Sequence, residues 1–544
     1  MRFTGILGIL TLLGFAFLLS NNKRNVRFDL VFWGISLQLL FAAIILGGSL
    51  LSFIAMLVFI GVIIIYQFRD FIGAGHVRKK QIYRMLLVIL GILILAGGAL
   101  LIPSSIVLGI LFWLFLGLFV LSSLLKTDQS RKYILALTLL IGYAWLVSTG
   151  TTGELIFHFV SEKVKSFLNL ANLGARFLFG NLALNKYFNP DTSTWPGFGS
   201  QFAITVLPVI IFFSAFMSIL YHLGIMQKVV SKMAKFMQWS LGTSGAETLS
   251  CTSNVFVGQT AAPLMIKPFL ENMTKSELLT IMLGGFATIS GAVLAGYIAM
   301  GIPAGHLIAA SVMSAPAALV VSKIIYPETE QSETAGEVEM PEVKEDTSNM
   351  LDAASKGVKD GLRLAANVAA MLIAFIALIG FVDLILNLAD KLIDGRMLNG
   401  KYIEYATVSR MSPVSGEYGG YFPGSIKTLF GNLFKPLAWL MGVSWKYAGQ
   451  VGKLLGMKLT LTEFVAYGSL SDLIQQGVLS AKARIISTYA LCGFANFASI
   501  GIQIGGISAL APSRRPELSQ LALKAMFGGA IASWITACIA GILV

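Results

Sequence analysis

Five polar side chains stand in apolar stretches where a lipid-embedded chain holds them only at a cost. Gln259 and Thr260 lie in "NVFVGQTAAP", Glu463 in "TEFVAYGSL", and Asn496 and Ser499 in "CGFANFASIGI". An intramembrane carboxylate is expensive, so Glu463 marks a functional position by default. A single Ser or Thr in such a setting most simply bonds its own backbone. Five polar groups at matching places in two similar segments instead point to a bound polar solute. Enzyme chemistry finds no support: there is no Ser-His-Asp, metal or phosphate-loop constellation, and "GFGS" at 197–200 reads as a loop. The four histidines show no ligand spacing, and Cys251, Cys492 and Cys538 lie far apart in apolar segments, so neither a metal site nor a disulfide framework is expected.

The elements that hold these groups must span a membrane. Of the 544 residues 56% are hydrophobic and only 12% charged, and the mean hydropathy is +0.78. Continuous apolar runs of about 20 residues predict membrane helices rather than an alternating β-barrel. Twelve spans are expected, at about 3–20, 28–48, 50–67, 85–102, 105–125, 132–149, 202–223, 277–299, 305–325, 365–388, 482–506 and 522–543. The first is read as a retained span rather than a signal peptide, since it lacks a small-residue cleavage site. The net charge of +13 is assigned to cytoplasmic loops and not to nucleic-acid binding. Basic clusters such as Lys23/Arg24/Arg27, Lys228/Lys232/Lys235 and Arg514/Arg515 then share the cytoplasmic side, with both termini outside. The basic residues between Lys391 and Lys435, and Lys482/Arg484, run against that pattern.

Between the spans, residues 327–349 are acidic and read as a disordered linker. The stretch 351–370 begins as an amphipathic helix suited to the membrane interface. Residues 393–425 form a polar Gly- and Tyr-rich insertion. Two segments, about 241–270 and 446–478, are too polar and too interrupted to cross cleanly, and each reads as a re-entrant hairpin. Each precedes a similar motif, "GGFATISGAV" (284–293) or "CGFANFASIGI" (492–502). With an odd number of crossings per unit, the second copy must be inverted. The expected fold is an all-α polytopic membrane protein with inverted repeats and two re-entrant helical hairpins. Such folds bind their solute near the midplane, where the helix breaks meet.

At these residues the chain resembles the concentrative nucleoside transporter family. The agreeing stretches include "LGTSGAETLS" (241–250), "NVFVGQT" (254–260), "GGFATISG" (284–291), "PLAWLMGVSW" (436–445), "EFVAY" (463–467) and "LCGFANFASIGI" (491–502). The resemblance implies a multi-pass cell-membrane symporter, trimeric, importing nucleosides on a sodium or proton gradient and using no cofactor. It places Gln259 and Thr260 at the nucleobase, Val293 and Phe494 packed against it, and Glu463, Asn496 and Ser499 at the ribose. It places Asn254 and Thr288 side chains with the carbonyls of Val257 and Ile289 around sodium, and these hard oxygen ligands favour Na⁺ over H⁺. Four parts are expected: N-terminal spans (1–160), a first transport repeat with hairpin 1 (161–326), the acidic linker with the interfacial helix (327–364), and a second repeat with hairpin 2 (365–544). Residues 50–160 read as added scaffold without a counterpart in compact bacterial members. One departure stands out. The family's Gln-Thr-Glu-Ala-Pro is here Gln-Thr-Ala-Ala-Pro, with Ala261 in place of the Glu. That leaves open a relative with altered specificity for another ribosyl or nucleobase solute, or a sensor on the transporter fold.

Overall fold

The computed structural model describes residues 2–69, 79–102, 104–124, 128–184, 201–335, 347–405 and 413–544. The centre of the acidic linker, the "GFGS" loop and part of the basic stretch after Arg69 lie outside the described residues. So do residues 406–412 of the polar insertion. Among the described residues, nine helical stretches are long and apolar enough to cross a membrane, from Phe28–Leu46 to Pro512–Leu543. Shorter apolar helices occupy three further expected spans, at Phe3–Leu18, Leu87–Leu100 and Phe497–Ser508.

By packing, the chain divides into two compact units. One comprises Ser36–Val160 with Leu543–Val544, the other Met1–Ile35 with Ser161–Ile542. In the smaller unit, Ile64, Ile92, Ala96 and Leu140 form a buried apolar cluster. Ser52 links two parts of its backbone, donating to the Ile44 carbonyl at 2.8 Å and accepting from the Gly153 amide at 3.0 Å.

The larger unit has an inner layer and an outer layer. Of the apolar windows in Lys275–Ala299, Ala304–Ile325 and Pro512–Leu543, 83–89% of residues are buried. Only 17% of the window in Phe202–His222 and 24% of that in Met350–Met397 are buried. The inner helices are therefore shaped by protein packing, and the outer ones keep a broad apolar face. The helix Arg2–Leu18 packs close. A Cβ on Gly8 would lie 2.5 Å from the Leu440 carbonyl oxygen and 2.8 Å from Cys538 Sγ, so small residues set this approach.

Two expected spans are not continuous. The 277–299 stretch is Lys275–Ala287 and Gly291–Ala299, parted at 288–290. The 482–506 stretch is Ala481–Leu491 and Phe497–Ser508, parted at 492–496. Hydropathy does not see such breaks, because it averages over a window in which three to five parted residues are outweighed by the apolar helices on either side. At the second break Gly493 has φ +135, and a Cβ there would meet the Phe286 carbonyl oxygen at 2.7 Å. Glycine is needed for the angle and for the closeness.

The linker and the helix after it depart from expectation. Residues 327–335, expected to be disordered, fold back onto hairpin 1. The Thr334 carbonyl and hydroxyl accept from the amides of Gly245 and Ala246 at 2.9 and 3.2 Å, capping the hairpin's first helix. Ser332 and Ser244 both donate to Glu277 Oε1 at 2.5 Å. Buried Lys323 pairs with Glu247 at 2.7 Å and reaches Glu328 at 3.3 Å. Composition weighs solvation, and here the linker's Glu328 finds a buried cation. The expected interfacial helix and the 365–388 span form one helix, Met350–Asp390. Cβ atoms on Gly357 and Gly361 would lie 2.6 Å from Ala215 Cα and 2.8 Å from Ile211 Cα. The small-xxx-small face therefore packs on Leu207–His222.

The polar insertion contains a π-helical turn, Lys391–Met397, and a two-stranded antiparallel ribbon pairing Tyr402 with Tyr418. Buried Asp383, Asp390 and Asp394 accept from the backbone amides of Ile426, Tyr418 and Phe422, which pins the insertion to the end of the long helix.

Candidate functional site

Hairpin 1 comprises the helix Gly245–Val257, a turn at 258–261 and the 3₁₀ segment Ala262–Asn272. Ser244 and Glu247 form a capping box that starts the helix. Gly258 ends it with φ +83, and a Cβ there would lie 2.6 Å from Ser290 Cβ. The turn of hairpin 1 is thus pressed against the first broken helix. Hairpin 2 comprises Trp445–Thr460 and Glu463–Gln475, and Thr462 caps the second arm by accepting from the Val465 amide.

Glu463 is the first residue of its arm and is 4% exposed. A carboxylate at a helix N-terminus is stabilised by the unpaired amides there and by the helix dipole. Its Oε1 accepts from Tyr297 Oη at 3.0 Å and its Oε2 from Asn496 Nδ2 at 2.9 Å. Asn496 caps the helix Phe497–Ser508, its Oδ1 accepting from the Ser499 amide at 2.8 Å. Glu463, Asn496 and Ser499 therefore form one connected cluster. Each carboxylate oxygen can accept once more, and Asn496 Nδ2 keeps a second hydrogen.

Gln259, in the hairpin 1 turn, meets this cluster from the other repeat. Its Nε2 lies 3.4 Å from Ser499 Oγ, and its Oε1 accepts from Gln503 Nε2 at 3.1 Å. Thr260 is exposed at the tip beside it, while Val293 and Phe494 are buried, in Gly291–Ala299 and at the second break respectively. The two breaks touch through backbone, with the Phe494 amide donating to the Thr288 carbonyl at 3.3 Å.

The four residues proposed for sodium lie on adjoining elements. Asn254 and Val257 are in the last turn of the first hairpin helix, and Thr288 and Ile289 follow the end of Lys275–Ala287. A Cβ on Gly284 would lie 2.6 Å from Cys251 Sγ, and one on Gly291 3.2 Å from the Phe256 carbonyl oxygen, so the hairpin helix is in direct contact with both Lys275–Ala287 and Gly291–Ala299. Asn254 is fully buried. Its Nδ2 donates to the Ser250 carbonyl at 3.1 Å, while its Oδ1 has no hydrogen-bond partner. A buried unpaired oxygen beside carbonyls at a helix C-terminus is a donor set that suits a hard cation.

Three residues in or beside this constellation escaped the sequence reading. Tyr297 donates to Glu463 and packs on Tyr467, with ring centroids 4.2 Å apart. Gln503 lies one turn beyond Ser499, and the 496, 499, 503 spacing places all three on one helical face, a signal available in the sequence. Lys458 is fully buried and donates to the Ala490 carbonyl at 3.0 Å and to Ser533 at 2.8 Å. An intramembrane lysine is itself a warning that the apolar pattern hides a polar interior.

Two hairpins and two broken helices, paired across inverted repeats and meeting at a buried polar cluster, define a secondary-transporter fold. Models of Na⁺-dependent nucleoside transporters match the chain at residues 7–66 (N-terminus) and 306–541 (C-terminus), and a nucleoside-recognition gate model matches 203–304. The N-terminal match runs to residue 66, so Ser49–Gln67 falls almost wholly within family-matched sequence and not in the added region expected from residue 50. An uncharacterized transporter of Haemophilus influenzae is 41% identical over 430 residues, covering 78% of this chain and 94% of that protein. Sodium/nucleoside cotransporter 1 of Rattus norvegicus is 41% identical over 404 residues, covering 72% of this chain. The chain spans 56% of that relative's length. Among solved structures, CNTnw in an inward-facing substrate-bound state aligns with TM-score 0.70 at 29% identity, covering 100% of this chain and 98% of that one. A substituted CNTnw in an outward-facing state aligns with TM-score 0.69 at 28% identity, covering 100% and 97%. The chain belongs to the concentrative nucleoside transporter family and is a multi-pass membrane protein.

Proposed function

We propose that this chain imports nucleosides by secondary active transport coupled to sodium. The observation that carries the reading is the Glu463–Asn496–Ser499 cluster facing Gln259 where the two repeats meet. A carboxylate with free lone pairs beside an amide donor suits a vicinal diol, and Phe494 and Val293 offer apolar surface for a base. Gln259 and Thr260 supply polar contacts at the base edge. The unpaired Asn254 oxygen, with the Thr288 hydroxyl and the carbonyls of Val257 and Ile289, supports sodium as the coupling ion and cargo. A homotrimer is the assembly proposed with this reading.

The test is uptake of labelled nucleosides into proteoliposomes with sodium and pH gradients imposed separately. Uptake driven by the sodium gradient at equal pH supports the reading. Uptake that follows only the pH gradient overturns sodium coupling, and no nucleoside uptake or counterflow under either gradient overturns the transport reading. Ala261 favours one variant within it, an altered base preference with the ribose requirement kept, because a methyl group accepts no hydrogen bond from a base.

A further inference from the structure

Gln503 is 1% exposed and bonds across two elements. Its Nε2 donates to the Met282 carbonyl at 3.0 Å and to Gln259 Oε1 at 3.1 Å. The two contacts fix both amides. A backbone carbonyl carries no hydrogen, so the Gln503 atom facing Met282 must be the nitrogen. The same nitrogen has its second hydrogen toward Gln259, so the Gln259 atom facing it must be the oxygen. The Gln259 amino group is then turned the other way, to the side of Ser499 Oγ. Space for this crossing is provided at Gly285. A Cβ there would lie 2.5 Å from Gln503 Nε2 and 3.0 Å from Gln259 Cβ.

We infer that Gln503 is a positioning residue that sets base selectivity: by holding the Gln259 carbonyl it leaves the second Gln259 N–H, the one not turned to Ser499 Oγ, and not the C=O, to face the nucleobase. The inference rests on the proposed placement of Gln259 at the base. Its consequence is chemical. A fixed donor selects a base edge that offers an acceptor, and Ala261 adds no acceptor to offset it. Bases carrying an oxo group at the recognised position are favoured over their amino counterparts, so uridine is taken in preference to cytidine and inosine in preference to adenosine. Without Gln503 the Gln259 amide turns freely and serves either partner.

The experiment is competition of these four nucleosides, and of 2′,3′-dideoxyuridine, against labelled uridine uptake in proteoliposomes. The proteins compared are the unsubstituted chain, Gln503→Met, Gln503→Leu, Gln259→Leu and the Gln259→Leu/Gln503→Met double variant. The expected oxo-over-amino preference is about fivefold, what one neutral hydrogen bond supplies. It falls to near unity in Gln503→Met, which keeps the side-chain length, while the preference for uridine over its dideoxy analogue persists. Gln503→Met adds nothing further once Gln259 is Leu. Gln503→Leu reports the same ratio should the methionine variant not be inserted. Amino bases preferred by the unsubstituted chain, or a ratio that Gln259→Leu changes and neither Gln503 variant does, would overturn the inference. A ratio unmoved by Gln259→Leu overturns instead the placement of Gln259 at the base, and the inference with it.

Discussion

Replacing Glu463 by Gln keeps the side chain's volume but turns one acceptor into a donor and removes the charge. The structure decides where the change falls. If the new NH₂ faced Asn496 Nδ2, donor would meet donor at 2.9 Å. Asn496 cannot turn to relieve this without losing its cap on the Ser499 amide at 2.8 Å. The NH₂ therefore takes the Tyr297 side, where the phenol can rotate to accept. The hairpin then stays folded, and the loss is expected to fall on the proposed contact with the sugar. A hydrogen bond to a charged group contributes about 1.5–3 kcal/mol against about 1 kcal/mol for a neutral one, and one acceptor site is lost outright. Together these give about 1.5–3 kcal/mol, or roughly 12- to 150-fold weaker transport efficiency. The assay is initial-rate uptake across substrate concentrations in proteoliposomes with matched amounts of protein, run with uridine and with 2′,3′-dideoxyuridine. The loss should be large for uridine and near twofold or less for the dideoxy compound, which lacks the groups Glu463 would read. Unchanged uridine uptake by well-inserted Glu463→Gln protein refutes the assignment. An equal loss for both compounds shows instead that Glu463 acts on the fold and not on the diol.

Two further outcomes follow from the same geometry. Ala261→Glu places an acceptor beside Gln259 and should raise the competition of bases with exocyclic amines by about three- to tenfold relative to oxo bases, read from the same nucleoside panel; an unchanged ranking removes position 261 as a determinant. Lys458→Met leaves the Ala490 carbonyl and Ser533 without their buried donor and should cost about 1–3 kcal/mol of stability, seen as a lower midpoint in thermal unfolding of detergent-purified protein; a midpoint equal to that of the unsubstituted chain would show that the buried cation contributes nothing to the fold.

The sequence made the spans legible because each is a local property, apolar length against bilayer thickness. The hairpins were legible as failures of that rule. Glycine, proline and amides interrupt an apolar run, and such backbone is tolerated only where protein or a cavity surrounds it. What stayed hidden was pairing at a distance. The linker start reads as disordered because its acidic composition carries no record of Lys323, and the stretch 351–370 reads as interfacial from its amphipathic start, which carries no record of the Leu207–His222 surface that Gly357 and Gly361 meet. The same holds in the site. Glu463 announced itself as a carboxylate in lipid, but Tyr297, 166 residues away, is an ordinary aromatic until its hydroxyl is found on that carboxylate.

Gln503 marks the boundary between the two cases. Its type and its place on the face of Asn496 and Ser499 were readable in the sequence. Its meaning comes from a backbone carbonyl on another helix, which fixes one amide and through it a second. Residue types thus report which groups could recognise a solute. Which of their atoms stay free is settled by the fold, here through a chain of hydrogen bonds that admits one orientation.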